Sequence, residues 1–429
     1  MPASAKAEVS PLEDTSMTNP SRPHLPLEIL DYTIDFLHND QETLKQCCLT
    51  SKSWIPRSRK YLFAEIAFRS VANLESWKRT FPDYTNSPAY YTHTLVVGCP
   101  EAVEVVDAGE DGWIRAFSGI ATLEVLAKGP NKRGTSYPSL SLIPFHGFSP
   151  VLKSLSITCG SIPNVQVFDL LSTLPLLGDL FLSADGLYEY SPSDFNTSPT
   201  VLQYYVPPLT GTLSLLVYEG IGATARRMLR LPNGLHFRRL SLSWLREKET
   251  QWVNALVAAC SNTLSHLIID CCFNRALIFF LHYLNRCSPR PAGTPHMIPI
   301  DLSKATRLRD ICFKLASLAV EWVIQALQTI TRNHVDFHSI DIRVSYIRAL
   351  AGDDANPRQV VEEQVRDRWS ELDRLLVQFR DSRSICLGLS YRAPTGQKEK
   401  MEECMRFLLP EVTREGSIYS LEWYRPPGV

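Results

Sequence analysis

The residues with the clearest capacity for chemistry are Gly220-Ile221-Gly222-Ala223-Thr224-Ala225, which follow an apolar run and precede a short helical pattern. Glycines at this spacing let a strand turn tightly into a helix whose N–H groups can hold a pyrophosphate. Glu247, near the end of the next strand pattern, stands about where an acid would bond a ribose hydroxyl. That would be the chemistry of a nucleotide-dependent oxidoreductase. The helical pattern, however, stops at Pro232-Asn233-Gly234, and strand–helix units without glycines recur elsewhere, so a structural repeat accounts for the same residues. His334 and His338 are four apart, but Val335-Asp336-Phe337 between them reads as the start of a strand. A helix is needed to bring both rings to one metal. The 11 cysteines are odd in number and irregular in spacing, with adjacent pairs at Cys47/Cys48 and Cys271/Cys272 and no CxxC, so free thiols are expected rather than disulfides or a zinc set. There is no GxSxG elbow, P-loop or HExxH. The expectation is a protein without catalytic residues, metal or cofactor. Arg226, Arg227, Arg230, Arg238 and Arg239 form a local basic cluster that suits an acidic segment or phosphate, or simply a solvated edge.

The elements that would position a function begin in an apolar N-terminal segment. Pro26 suits a first helical position and Glu28 the first turn. Ile29, Leu30, Ile34 and Leu37 then recur at helical spacing as one apolar face. Asn39 with Glu42 resembles a capping box that opens a second helix lined by Leu44, Cys47, Cys48 and Leu49. Trp54 comes next, and Pro56 marks a third short helix ending near Phe63. So short a segment cannot bury these groups alone and needs a partner surface.

The segment resembles the F-box family, whose pattern is Leu-Pro-x-Glu-Ile/Leu-Leu, a break, a Leu-rich helix, and a Trp followed by basic residues. Leu25, Pro26, Glu28, Ile29, Leu30, Ile34, Leu37, Leu44, Leu49 and Trp54 carry the match, with Arg57, Arg59 and Lys60 after them. Thr50 departs from it, standing where the family often has an apolar residue. The resemblance implies that these residues dock on the Skp-type adaptor of a cullin–RING ubiquitin ligase, and that the region C-terminal to them selects a protein substrate.

Composition agrees with a globular chain: 429 residues, 45% hydrophobic, formal net charge −1. The balance gives no basic excess for nucleic acid or an anionic membrane. Residues 1–22 read as a disordered tail, not a signal peptide. The apolar stretches Leu277–Leu284 and Leu315–Leu327 are too short or too charged to span a bilayer and read as buried helices. A lone sequon at Asn196-Thr197-Ser198 has no secretory signal beside it. A cytoplasmic or nuclear protein is expected.

The rest of the chain reads as a degenerate repeat of apolar, two residues, apolar, one residue, apolar. Copies fall at Leu152/Leu155/Ile157, Leu177/Leu180/Leu182, Phe237/Leu240/Leu242, Leu264/Leu267/Ile269, Leu308/Ile311/Phe313, Phe337/Ile340/Ile342 and Ile418/Leu421/Trp423. Looser copies are Leu95/Val97, Leu123/Val125, Leu213/Leu215/Val217 and Ile385/Leu387/Leu389. Each predicts a strand buried on one face. Helical spacing predicts helices at Val165–Leu174, Thr250–Ala259, Leu318–Ile330, Val360–Phe379 and Glu399–Leu409. Strand, loop, helix, loop at this period is the leucine-rich-repeat arrangement, with parallel strands along one wall. The asparagine ladder of regular repeats is largely missing, so the array is expected to be irregular; a flat doubly wound sheet is the alternative. The expected fold is α/β: an F-box over residues 23–68, then a leucine-rich-repeat-like solenoid over 69–429, resembling the F-box/leucine-rich-repeat subgroup.

Loops at 129–150, 187–211, 285–305 and 351–358 interrupt the array, and the second, with Tyr188, Tyr190, Tyr204 and Tyr205, is a candidate contact surface. The outward residues of the strands include Ser154, Ser156, Arg239, Ser241, Ser243, His266, Asp310, Ser339, Asp341 and Arg343. Their mixed polarity suits a protein target, and Arg239, His266, Asp341 and Arg343 are the candidate substrate-binding residues. The expected function is therefore the substrate-recognition subunit of an SCF-type E3 ubiquitin ligase. Its alternatives are the oxidoreductase above and a scaffold that binds the adaptor without ubiquitylation.

Overall fold

The computed structural model describes residues 26–83, 87–98, 116–127, 151–163, 171, 174–188, 209–217, 221–231, 233–243, 249–270, 299–315, 320–344, 363–380, 384–390, 397–414 and 419–424. The chain divides into two units between Ala64 and Glu65.

The first unit is helical: α1 (Leu27–Phe36), α2 (Gln41–Thr50) and α3 (Ile55–Leu62), with a 3-10 turn at Lys52–Trp54. Pro26 precedes α1 as its N-cap residue. The cap of α2 is Asp40, not Asn39: its carboxylate accepts from Thr43 N at 3.0 Å and from Thr43 Oγ1 at 2.7 Å. Aspartate caps as well as asparagine does, and the Thr hydroxyl adds a second bond. Ile34 and Leu44 are 2% and 0% exposed and, with Cys47, form the interior of the unit. The arginine expected only as a basic follower joins α3 to α1: Arg57 makes a two-pronged pair with Asp35, and Tyr61 Oη donates to the same carboxylate at 2.7 Å.

The second unit is one sheet of twelve strands, β1 to β12, in chain order throughout, every pair parallel. The strands are β1 Glu65–Phe68, β2 Thr94–Val97, β3 Thr122–Ala127, β4 Ser154–Pro163, β5 Asp179–Tyr188, β6 Leu209–Val217, β7 Leu235–Ser243, β8 His266–Asp270, β9 Asp310–Leu315, β10 Ser339–Val344, β11 Ser384–Ser390 and β12 Tyr419–Tyr424. The last two apolar positions of all eleven predicted copies fall on strands, while the leading Leu152, Leu177, Leu264, Leu308 and Phe337 precede theirs and Ile418 lies outside the described residues. β1 lies within the segment expected to belong to the F-box, yet Phe63/Ile66/Phe68 carries the repeat spacing, so the boundary moves from 68 to 64. Strand order never reverses, so the switch point of a doubly wound sheet does not occur among the described strands.

Two columns of side chains build the core. Ile66, Leu95, Leu123, Leu155, Leu180, Leu213, Leu240, Leu267, Ile311, Ile340 and Ile385 stand in register, each 8% exposed or less. The second column runs from Phe68 through Ile157 and Ile269 to Phe313 and Ile342, all 9% or less. The columns face the helices: Phe313 meets Trp322 edge to face at 5.3 Å between centroids. The last strand is offset from the expected alignment. Leu421 is level with Leu387 and Trp423 with Leu389, a shift of two residues in backbone register.

The start of each strand is bonded to the start of the previous one. Two consecutive N–H groups share one carbonyl: Gly178 and Asp179 on Lys153, Arg309 and Asp310 on Ser265, His338 and Ser339 on Arg309, at 2.8–3.1 Å. At β6 this regularity breaks. Gly211 has φ +83° and a Cβ there would stand 2.6 Å from the Gly178 carbonyl oxygen, so only glycine fits the shift of register between Gly211 and Thr212.

Helices between the strands are α4 (Val71–Thr80), α5 (Ile221–Met228), α6 (Thr250–Ala259), α7 (Glu321–Gln328), α8 (Glu363–Arg380) and α9 (Gln397–Leu408). Four match the predicted helices, trimmed or extended at their ends; most of Val165–Leu174 lies outside the described residues, as do Leu277–Leu284 and the loops 129–150 and 351–358. Part of the expected loop at 285–305 is core instead, with Ile300, Leu302 and Ala305 at 0–2% exposure. Among the described residues no helix is long and apolar enough to cross a membrane.

The boundary at Ala64 is testable. A chain beginning at Glu65 should keep the stability of the sheet unit. One beginning at Arg69 loses Ile66 and Phe68, the latter packed on Trp77 and Phe117 at 5.9 and 6.1 Å, and should be about 3–5 kcal/mol less stable by urea unfolding.

Candidate functional site

Two surfaces collect the residues singled out by sequence. The first lies on the helical unit. The expected single apolar face of α1 is two faces. Leu30, Ile34 and Leu37 turn inward or half inward, whereas Ile29, Tyr32 and Phe36, spaced i, i+3, i+7, lie along the opposite side at 51%, 63% and 70% exposure. Tyr32 and Phe36 stack edge to face at 5.0 Å. On α2, Leu44 and Cys47 are buried while Leu49 is 80% exposed. Pro26 and Glu28 are exposed and Trp54 is half-buried; Leu25 lies outside the described residues. Tyr32 and Phe36 escape a reading of the motif along one stripe; their i+3 and i+7 spacing from Ile29 is the signal that marks them.

Asp35, three residues on from Tyr32, ties α1 to α3. Hydrogen bonds from Arg57 and then Tyr61 hold its carboxyl at about 2, against an ordinary 3.8. A depressed carboxyl contributes stability above pH about 4 that is lost as pH falls through about 2. Asp35→Asn should therefore raise amide exchange across residues 27–36 at neutral pH without changing the sheet. The difference from the unmodified chain should vanish near pH 2.

The second surface is the outward side of the sheet. Arg239, His266, Asp310 and Ser339 are neighbours in one row; Ser241, Ile268, Cys312, Asp341 and Cys386 form the next; Ser243, Asp270, Lys314 and Arg343 the third, where Ser243, expected at the surface, is buried with its hydroxyl donating to the Leu215 carbonyl and Asp270 is buried as well. Asp341 and Arg343 close on each other at 2.6 Å, and Lys314 pairs with Asp270 at 3.2 Å. Asp310 is held between two rings, His266 Nε2 at 2.8 Å and His338 Nε2 at 3.3 Å. Arg239 is exposed. Of the four candidate residues, the fold thus places Arg239 beside His266 and pairs Asp341 with Arg343.

Ser265 joins this row in a way the sequence did not suggest, because Asp310 reaches the neighbouring His266 only through strand pairing. Its Oγ lies 2.7 Å from His266 Nδ1, giving the residue types of a Ser–His–Asp triad. The geometry does other work. The single hydroxyl proton is also in donor geometry to the Arg238 carbonyl at 3.0 Å. The nearby N–H groups of Arg309 and Asp310, which an oxyanion would need, are both spent on the Ser265 carbonyl. Burial lowers the proton affinity of His266, with Asp310 opposing and Arg239, Arg309 and His338 adding to the fall.

The other chemical candidates become structural. His334 is fully buried, its Nδ1 accepting from Thr331 N at 3.1 Å and its Nε2 donating to the Leu302 carbonyl at 2.9 Å. Among the described residues no cluster could hold a metal ion. Cys47, Cys48, Cys260, Cys312, Cys386 and Cys404 are free thiols. Burial pushes Cys260 and Cys404 up to about 11, and Cys312 higher, away from the thiolate a nucleophile needs. Gly220 and Glu247 lie outside the described residues. Gly222 has a packing reason: a Cβ there would stand 2.6 Å from Trp252 Nε1, and Arg226 lies over the same indole at 5.1 Å. Gly222→Ala should cost about 1–3 kcal/mol in urea unfolding, and NAD should give no thermal shift with either chain.

No protein-family model matches the chain, and no curated protein matches it.

Proposed function

We propose that the chain is the substrate-recognition subunit of an SCF-type cullin–RING ubiquitin ligase. In this reading residues 23–64 are an F-box that binds the Skp-type adaptor, and the twelve-stranded unit is an irregular leucine-rich-repeat-like solenoid that holds a protein target. The chain has no catalytic residues of its own and works in the cytoplasm or nucleus. It raises the rate of ubiquitin transfer by holding a target near an enzyme elsewhere in the complex, which is catalysis by proximity and orientation.

The observation that carries the reading is the apolar surface of the helical unit, beside the motif residues that resemble an F-box. Ile29, Tyr32, Phe36 and Leu49 leave large side chains in water around an interior already filled by Ile34 and Leu44. Isolated exposed leucines are ordinary, but an aromatic–aliphatic stripe at i, i+3, i+7 on one helix is the pattern of a face that another protein covers. The roles of the motif residues then divide. Ile34 and Leu44 shape the unit from inside with Leu30 and Leu37 half inward beside them, and Pro26, Glu28, Ile29, Leu49 and Trp54, with Leu25, supply the docking side.

Replacing Ile29 and Phe36 with Ser should abolish co-purification of the adaptor, since truncation at a desolvated hot spot typically costs about 2 kcal/mol or more per residue. Both residues are exposed, so helical content and melting of the chain should be unchanged. Undiminished co-purification, or an adaptor that never binds the unmodified chain, would overturn the reading.

A further inference from the structure

The charges on the outward side of the sheet are of two kinds. Asp341 with Arg343 and Lys314 with Asp270 neutralise each other. Arg238, Arg239 and Arg309 are exposed, and no described acid pairs with them. Their places are fixed by the backbone. The Arg238 carbonyl accepts from Ser265 N, that of Ser265 from Arg309 N, and that of Arg309 from His338 N, at 2.8–2.9 Å. Arg238, Ser265, Arg309 and His338 therefore stand at one level, the first within β7 and the others just before β8, β9 and β10. Lys153, also exposed, holds the same level before β4. The result is a basic rim along the strand starts. Its one carboxylate in the strand row from Arg239 to Ser339, Asp310, is already occupied by His266 and His338.

We propose that this rim binds an extended acidic segment of a target protein, running across the strands with its Asp or Glu side chains on Arg238, Arg239 and Arg309. The proposal rests on the reading of this side of the sheet as the target surface and names the class of target. Spacing supports it. The arginines of β7 and β9 are two strands apart, about 10 Å, and a chain extended in the polyproline II form advances about 3.1 Å per residue with three residues per turn, so acids three residues apart lie on one side and match them. Guanidinium forks bind carboxylates through paired, charge-assisted bonds. A single phosphate would draw on arginines that far apart only by crossing Asp310. A long polyanion would meet Asp270, Asp310 and Asp341 on the same face. The charge is also felt locally: Arg239 and Arg309 both lower the proton affinity of His266 between them, behind the larger effect of burial.

The test uses the full chain and fluorescence anisotropy. One labelled peptide carries Glu at every third position among Ser and Ala; a second has Gln in place of Glu; a third adds one phosphoserine to the Gln peptide. The Glu peptide should bind at least about tenfold tighter than the Gln peptide and weaken as salt rises from about 0.05 to about 0.3 M. Arg239→Glu with Arg309→Glu should weaken it by about tenfold or more, while Arg374→Glu, on an exposed position of α8, should change nothing. If the double reversal lowers the melting temperature, Arg239→Gln with Arg309→Gln is read in the same way. Absence of saturable binding by the Glu peptide, indifference to both double variants, equal loss in Arg374→Glu, or tighter binding of the phosphoserine peptide would each overturn the proposal. The assay contains no adaptor, so retained peptide binding with lost adaptor capture fails only the ubiquitin-ligase reading.

Discussion

The structure depends on register between parallel neighbours. Side chains alternate along a strand, so a slip of one residue anywhere would turn a buried column to water and bring the outward charges into the core. Each fully buried Leu or Ile in those columns contributes roughly 1.5–3 kcal/mol relative to exposure, and the first column runs unbroken from Ile66 to Ile385. The shared carbonyls at the strand starts fix the same register through the backbone. The outward rows are a consequence: Arg239 meets His266, and His266 meets Asp310, because Leu240, Leu267 and Ile311 are level behind them.

Regular repeats lock their turns with one residue type; here different side chains do so at different units. Asn254 reaches from α6 to the Pro299 carbonyl and accepts from Asp301 N, both at 2.9 Å. Thr329 accepts from Leu302 N at 2.9 Å, and His334 bonds the Leu302 carbonyl from the next turn. Asp373 on α8 takes the N–H groups of Glu411 and Val412 at 2.9 Å, and its burial raises the carboxyl above the ordinary range despite those bonds. Such buried groups are costly unless satisfied, which ties each unit to a particular neighbour rather than to any copy of itself. Spacing between column residues can therefore vary from 25 (Leu155 to Leu180) to 45 (Ile340 to Ile385) without loss of register.

The helical unit solves a different problem with fewer residues. Its interior is small, so the Asp35–Arg57–Tyr61 cluster supplies what apolar burial does not: a directional link between α1 and α3. Ile29, Tyr32 and Phe36 take no part in that link and stay exposed.

What the sequence determined by itself was most of what is periodic, β1 and α4 excepted. Apolar positions three and two apart marked the strands, Thr250–Ala259 marked a helix to the residue, and the motif around Leu25 to Trp54 marked a separate helical segment. These signals survive in sequence because burial recurs at a fixed local period. Tertiary structure decided what has no period. Ile29 and Ile34 share a helix and an apolar character, yet one is half exposed and the other buried, because only packing against α2 and α3 selects the inner face. Gly222 reads equally as a phosphate-binding glycine or a close contact until Trp252 is seen against it. Arg343 and Arg239 look alike in sequence, but Asp341 neutralises the first and nothing described neutralises the second. Pairing between residues far apart in the chain is a property of register, and register is set only once the columns close.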